Sequence, residues 1–168
     1  MALDEKVKQR ARRIKLLLMD CDGVLTDGRL YFDTAGEALK VFNVHDGQGI
    51  VDWHRTGSRS GIISGRNSPI VELRAKQLGI TFVEQGQSDK AEALIRILSA
   101  AAVDAADAAY IGDDTPDLCV FEKVGFAVAV NDAVDPVKER AHFITHNKGG
   151  KGAVREVIDL IFRCKAEA

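Results

Sequence analysis

The sequence predicts an α/β fold, a Rossmann-like doubly wound parallel sheet with a β-hairpin inserted after the first strand. Three observations predict it. Short apolar runs recur along the chain, each closing on a Gly, Asp or Asn. Segments of helical period lie between them, and carboxylates collect where the runs end. Strands alternating with helices make βαβ units, whose right-handed crossovers build a parallel sheet with helices on both faces.

The opening stretch "MALDEKVKQRARRIK" is too charged for a signal peptide. Its Arg10, Arg12, Arg13 and Lys15 are expected on a solvated helix face rather than against nucleic acid. "IKLLLMD" is the first strand, and "RSGIISG", "ITFVEQG", "AAYIGDD" and "FAVAV" are four more. Between Gly28 and Val44, "GRLYFDTAGEALKVFNV" breaks the rhythm with two alternating runs around "DTAGE", the pattern of a hairpin. Ala91, Leu94, Ile95 and Leu98 repeat at helical spacing, as do Val154, Val157, Ile158 and Ile161.

A chain of 168 residues buries one proper core, so a single domain over 1–168 is expected. A formal charge of −2 gives no global attraction to nucleic acid or an anionic membrane, and no window approaches the ~18 apolar residues of a membrane span. Cys21, Cys119 and Cys164 lack CxxC spacing, which signals neither a zinc site nor a disulfide framework. A reducing cytoplasm is the expected location.

The chemistry concentrates at the strand ends. In open α/β sheets ligands sit beyond the carboxyl ends of the strands, where this chain puts Asp20, Asp22, Ser64, Asp113 and Asp114. Residues two apart on a strand share a face, so Asp20 and Asp22 point into one pocket while Cys21 points away. Cys21 has no evident partner base and is expected to be a buried structural thiol. A lone Asp at such a place reads as an N-cap, but two pairs in one sheet repel unless a cation joins them. Oxygen-only ligands suit a hard ion such as Mg²⁺. Lys90 opens a helix, where the macrodipole disfavours a cation, which marks it as functional rather than solvated.

These residues resemble a known family. "DCDGVLTDG" matches the DxDGxxTDG signature of the haloacid dehalogenase superfamily of phosphatases, and Ser64 in "IISGR", Lys90 in "QGQSDK" and "GDDTPD" match its other motifs in order. "FNVHDGQGI", "ISGRNSP", "GITFVEQGQSDK" and "NKGGKGAVREV" further resemble the capless 3-deoxy-D-manno-octulosonate (KDO) 8-phosphate phosphatases, from about Ile14 to about Ile161. The resemblance implies that Asp20 is the nucleophile of an aspartyl-phosphate mechanism and Asp22 its acid and base. It further implies that Ser64 and Lys90 grip the phosphoryl group, while Gly23 and Thr26 shape the nucleophile's loop. Mg²⁺ would be held by Asp20, the Asp22 carbonyl and Asp113, with Asp114 or Asp117 behind them. Neighbouring anions are expected to favour the protonated form of Asp22.

The family's substrate contacts carry over to Asn43, Val44, His45, Asp46 and Gly47, and to Arg66 and Arg74. Asp22 and Lys90 complete that set. His45 departs from the family's arginine, and Val51 stands where some members have another. An imidazole lacks a guanidinium's two-point grip on carboxylate, which leaves phosphatases of sialic-type nine-carbon sugar acid 9-phosphates as the alternative.

No interval between motifs can house a cap domain. The resemblance implies a homotetramer whose hairpins associate and whose neighbours wall each site, with Lys148 or Lys151 as further candidates for that wall. A phosphoacceptor signalling domain is a more remote reading: there the acidic pair precedes the phosphorylated Asp, whereas here "GDD" follows it.

Overall fold

The computed structural model describes residues 3–167. Its main sheet has six parallel strands in the order β5-β4-β1-β6-β7-β8. These are β1 (Leu16–Met19), β4 (Arg59–Ile63), β5 (Phe82–Glu84), β6 (Ala108–Gly112), β7 (Phe126–Ala129) and β8 (Phe143–Ile144). All residues of β1, β6 and β7 are buried. That explains their unbroken apolar runs: a parallel strand covered on both faces has no polar side to present. The two-residue β8 is too short to leave a sequence pattern.

β1 is the hinge of the topology. The chain leaves it for β4 and β5 on one side, then returns to β6, β7 and β8 on the other. Met19 lies level with Ile62 of β4 and Ile111 of β6, so the next residue, Asp20, emerges where the winding reverses. A crevice opens at such a point.

Helices α1 (Glu5–Arg13) and α2 (Val44–Arg55) both pack on α7 (Ala153–Ala166), while α4 (Lys90–Ala101) lies against β4 and the short α5 (Leu118–Phe121). Helix α3 (Pro69–Leu78) adjoins α2, and α6 (Asp135–Arg140) adjoins β7. Trp53 of α2 is fully buried, stacks on Phe162 of α7 at 5.9 Å and donates its indole N–H to the Arg59 carbonyl. Val154, Val157, Ile158 and Ile161 are all buried on α7. On α4 the buried face is Lys90, Ala93, Leu94, Ile97 and Ala101 instead. Ile95, expected inside, is 59% exposed, because small alanines and the anchored Lys90 set the helix's phase.

The basic N-terminal segment is a helix face with specific partners. Arg10 donates to the Gly125 carbonyl, Arg12 to that of Cys164, and Arg13 and Lys15 reach Asp107. The hairpin is shorter than the 28–44 expected. β2 (Tyr31–Asp33) pairs antiparallel with β3 (Gly36–Leu39) only. Asn43 ends the extended run, because its side chain caps α2 by accepting from the His45 N–H and so draws Val44 into the helix. Leu30, Phe32, Leu39, Val41 and Val44 remain largely exposed around it. Among the described residues no helix is long and apolar enough to cross a membrane.

Candidate active site

The residues at the carboxyl ends of β1, β4 and β6 line a cleft of about 410 Å³ with Asp20, Asp22, Ser64, Arg66, Lys90, Asp113 and Asp114 among its walls. Leu30, from the start of the hairpin segment, closes one edge.

Asp20 is fixed from three directions. Its backbone N–H continues the sheet by donating to the Ile111 carbonyl, Oδ1 accepts from the Cys21 N–H at 2.6 Å, and Oδ2 lies 2.8 Å from Lys90 Nζ. Burial raises its pKa to about 6, against the lowering pull of Lys90. Lys90 is the first residue of α4, whose N-cap Asp89 accepts from Ala91 and Glu92. Its ammonium also bonds Asp117 Oδ1 at 2.7 Å. Burial alone would lower the lysine's pKa, but Asp20 and Asp117 outweigh it and leave it raised.

Asp117 is wholly buried beneath the cleft. Oδ1 accepts from Lys90 and the Tyr110 hydroxyl, while Oδ2 accepts from the backbone N–H groups of Asp113 and Asp114. Carboxylate oxygens of Asp20, Asp113 and Asp117 lie within 4.8 Å of one another. Each oxygen of Asp117 takes two protein donors, against one for each oxygen of Asp20, so Asp117 orients the loop and the lysine, while Asp20 and Asp113 keep lone pairs that a metal ion could take. Asp113 fits that role. Its Oδ1 is buried without a hydrogen-bond partner, and burial, Asp20 and Asp117 push its pKa up to about 8. An oxygen so placed is costly unless a cation meets it. The donor set is hard and all-oxygen, the chemistry of a divalent ion such as Mg²⁺. Gly23 lets Asp113 approach: it has φ +87°, and a Cβ there would stand 2.0 Å from Asp113 Oδ2. Thr26 Oγ accepts from the N–H groups of Gly23 and Gly28, which closes the loop.

Ser64 follows β4, is 2% exposed, and accepts the Arg66 N–H on its hydroxyl. Asp22, expected beside neighbouring anions, also meets two cations. Oδ1 pairs with Lys40, and Arg66 Nε lies 3.6 Å from Oδ2. Lys40 also reaches Glu37 Oε1 at 3.0 Å, and Glu37 accepts from the Ser68 hydroxyl. Sequence reasoning missed Lys40, Glu37 and Tyr110. A lysine and a glutamate on a hairpin look solvated, and only a tyrosine inside the otherwise apolar "AAYIG" gave any signal.

The remaining expected contacts lie outside this cleft in a single chain. Asn43 caps α2 and donates to the Gly150 carbonyl. Asp46 is buried, with its oxygens accepting from the Gly152 and Arg155 N–H groups, so it ties α2 to α7 instead of facing ligand. Gly47 lies beneath the Arg74 guanidinium, which would stand 2.5 Å from a Cβ there. Arg74 itself lies over the Phe42 ring at 5.6 Å, in a separate hollow with Val44 and Leu73. Val44 and His45 are exposed. Cys21 is buried and its thiol pKa raised by that burial, in keeping with an inert packing role.

A sheet wound in this order, with carboxylates at the ends of its two central strands, is that of the haloacid dehalogenase-like hydrolases, and the model of that family matches residues 62–158. The 3-deoxy-D-manno-octulosonate 8-phosphate phosphatase of Yersinia pestis is 47% identical over 94% of this chain and 84% of its own length. That of Escherichia coli K12 is 47% identical over 90% and 81%. The crystal structure of the Yersinia pestis phosphatase superposes with a TM-score of 0.95 at 45% identity, covering 98% of this chain and 89% of the other. A Moraxella catarrhalis phosphatase, solved with magnesium, phosphate and KDO, gives 0.94 at 38% identity over 98% and 95%. Within these hydrolases, the chain belongs to the family of the 3-deoxy-D-manno-octulosonate 8-phosphate phosphatases.

Proposed function

We propose that this enzyme is a Mg²⁺-dependent phosphatase that hydrolyses KDO 8-phosphate to KDO and inorganic phosphate, in the supply of lipopolysaccharide precursors. The observation that carries the reading is the cleft itself. Asp20 is fixed at the winding reversal between Lys90 and a backbone N–H, beside the orphaned Asp113 oxygen, in a chain 38% identical to the Moraxella phosphatase solved with KDO, phosphate and magnesium.

Asp20 attacks phosphorus, and the bond from phosphorus to the sugar oxygen breaks as Asp22 gives that oxygen its proton. The aspartyl-phosphate is then hydrolysed: Asp22, now a carboxylate, takes a proton from the attacking water, releasing phosphate and Asp20. Lys90 and Ser64 contact phosphoryl oxygens. Mg²⁺ is assigned to Asp20, Asp113 and the Asp22 carbonyl, where it supplies positive charge to the transferring group. Arg66, at the cleft wall and 44% exposed, is placed to meet the sugar.

Asn43, Val44, His45, Asp46, Gly47 and Arg74 belong to this reading only through assembly or through shape. The exposed Val44 and His45 lie beside the apolar hairpin, where a homotetramer would carry them to a neighbour's cleft. Location in the cytoplasm is supported by the three cysteines, all free thiols. A single domain is supported by one cluster of buried residues running from Val7 to Cys164. His45 in place of arginine favours one second reading, a sialic-type sugar acid 9-phosphate. A phosphate-release screen with Mg²⁺ over KDO 8-phosphate, sialic-type 9-phosphates and neutral sugar phosphates decides between them. The highest kcat/KM is expected for KDO 8-phosphate, and a higher value for a 9-phosphate would replace the first reading with the second.

A further inference from the structure

We propose that Lys40, braced by Glu37, is a positioning residue that aims the carboxyl group of Asp22 at the departing sugar oxygen. The proposal rests on the reading of Asp22 as the acid and base of the reaction. Lys40 follows β3, yet its side chain is 1% exposed and turned under the cleft. Its ammonium holds Asp22 Oδ1 on one side and Glu37 Oε1 on the other. Glu37 is tied in turn through its second oxygen to the hydroxyl of Ser68, the buried N-cap of α3, whose N–H donates to Gln85. A chain of bonds therefore runs from the first turn of α3 through the hairpin to Asp22.

The two oxygens of Asp22 are treated unequally. Oδ1 is pinned, while Oδ2 is buried without a hydrogen-bond partner, and the Arg66 Nε stands off from it at 3.6 Å. A carboxyl group that must pass a proton needs one oxygen left free and its rotation stopped. Proton transfer falls away when donor and acceptor leave hydrogen-bond reach. Asp22 sits on a tight loop with no sheet bond of its own, so little else stops that rotation. The ammonium also makes a poor structural plug, because a buried charge carries a desolvation penalty that packing alone does not offset. A methionine would fill the same volume without it.

The test is the dependence on leaving group. kcat/KM reports phosphoenzyme formation, the step in which the leaving oxygen departs. It is measured with the best sugar phosphate of the screen and with p-nitrophenyl phosphate, whose phenolate leaves without a proton. Lys40→Met is expected to lower kcat/KM for the sugar phosphate about a hundredfold, within the range of general acid catalysis, and for the aryl phosphate less than about tenfold. Lys40→Arg should recover part of the sugar-phosphate rate. Glu37→Gln, which keeps the shape but loosens the brace, should show the same selectivity at smaller size. It carries the test if Lys40→Met fails to fold by circular dichroism.

Equal losses on both substrates would overturn the proposal in favour of a structural role. Asp22→Ala, run alongside, separates the two possible failures. If Asp22→Ala is selective and the Lys40 and Glu37 variants are not, the positioning role falls alone. If Asp22→Ala is itself unselective, the acid–base reading falls and takes the proposal with it.

Discussion

At the scale of single residues, the cleft is a problem of crowded negative charge solved by named cations. Asp20, Asp113 and Asp117 share a space of a few ångströms, and Lys90 answers two of them. Asp113 keeps an unanswered oxygen. This arrangement predicts how stability responds to pH and metal. The Asp20 and Asp113 pKa values are raised to about 6 and about 8, from 3.8. Between the unfolded and folded values the native chain binds more protons, so these groups cost stability progressively as pH rises through that window. In EDTA their destabilising contribution should grow from about pH 4 to about pH 8. Mg²⁺ should raise the melting temperature more at pH 8 than at pH 5. Equal shifts at both values would show that these carboxylates do not meet the ion. Asp20→Asn should lower turnover more than about a hundredfold, roughly 3 kcal/mol, and single-turnover kinetics with phosphoenzyme trapping would read it directly.

Sequence reasoning reached these residues because their neighbours in the chain are their neighbours in space: Asp20 with Asp22, and Asp113 with Asp117. Lys40 was not legible in the same way. Its partner lies a loop away, and nothing in "ALKVF" says that the lysine turns inward. The burial of Asp46 away from the cleft was hidden for a related reason. The residue is polar and near the site in sequence, but its acceptors are spent on the start of α7.

At the scale of elements, the strands were the most readable part, since burial on both faces of β1, β6 and β7 writes itself as unbroken apolar runs. The hairpin was readable in kind but not in extent, because the Asn43 cap overrides the strand propensity of Val41 to Val44. That short hairpin carries Phe32 and Leu39 in the open, 58% and 46% exposed. A two-stranded ribbon is marginal in water by itself. If four chains bury these residues against each other, light scattering should give a mass about four times 18.2 kDa. Leu39→Glu combined with Val41→Glu should then reduce both mass and activity. Tyr31 and Phe42 are poorer probes: both are already partly covered within one chain. A monomeric wild type with full activity would remove the assembled wall from the reading.

At the scale of the whole molecule, the topology puts distant segments in service of one loop. The sheet order could be anticipated only as a class, since which strand flanks β1 depends on crossovers that leave no mark on composition. The same holds for the segment before α7. Gly149 sits against the loop after Asp20, where a Cβ would stand 1.7 Å from the Gly23 carbonyl oxygen, and the Gly150 N–H donates to the Val24 carbonyl at 2.9 Å. Gly149→Ala should therefore lower kcat at least tenfold (about 1.4 kcal/mol) while leaving the helical circular dichroism signal unchanged, although residue 149 lines no part of the cleft.

The contact between Gly149 and Gly23 also bears on how such a sequence can drift. A methyl group gained at Gly149 is tolerable only if the loop at Gly23 moves away, and that loop is already shaped around Asp113. The two positions are therefore locked in inheritance: each is a silent veto on change in the other, and an altered glycine at either end should be found only in chains that have rebuilt both.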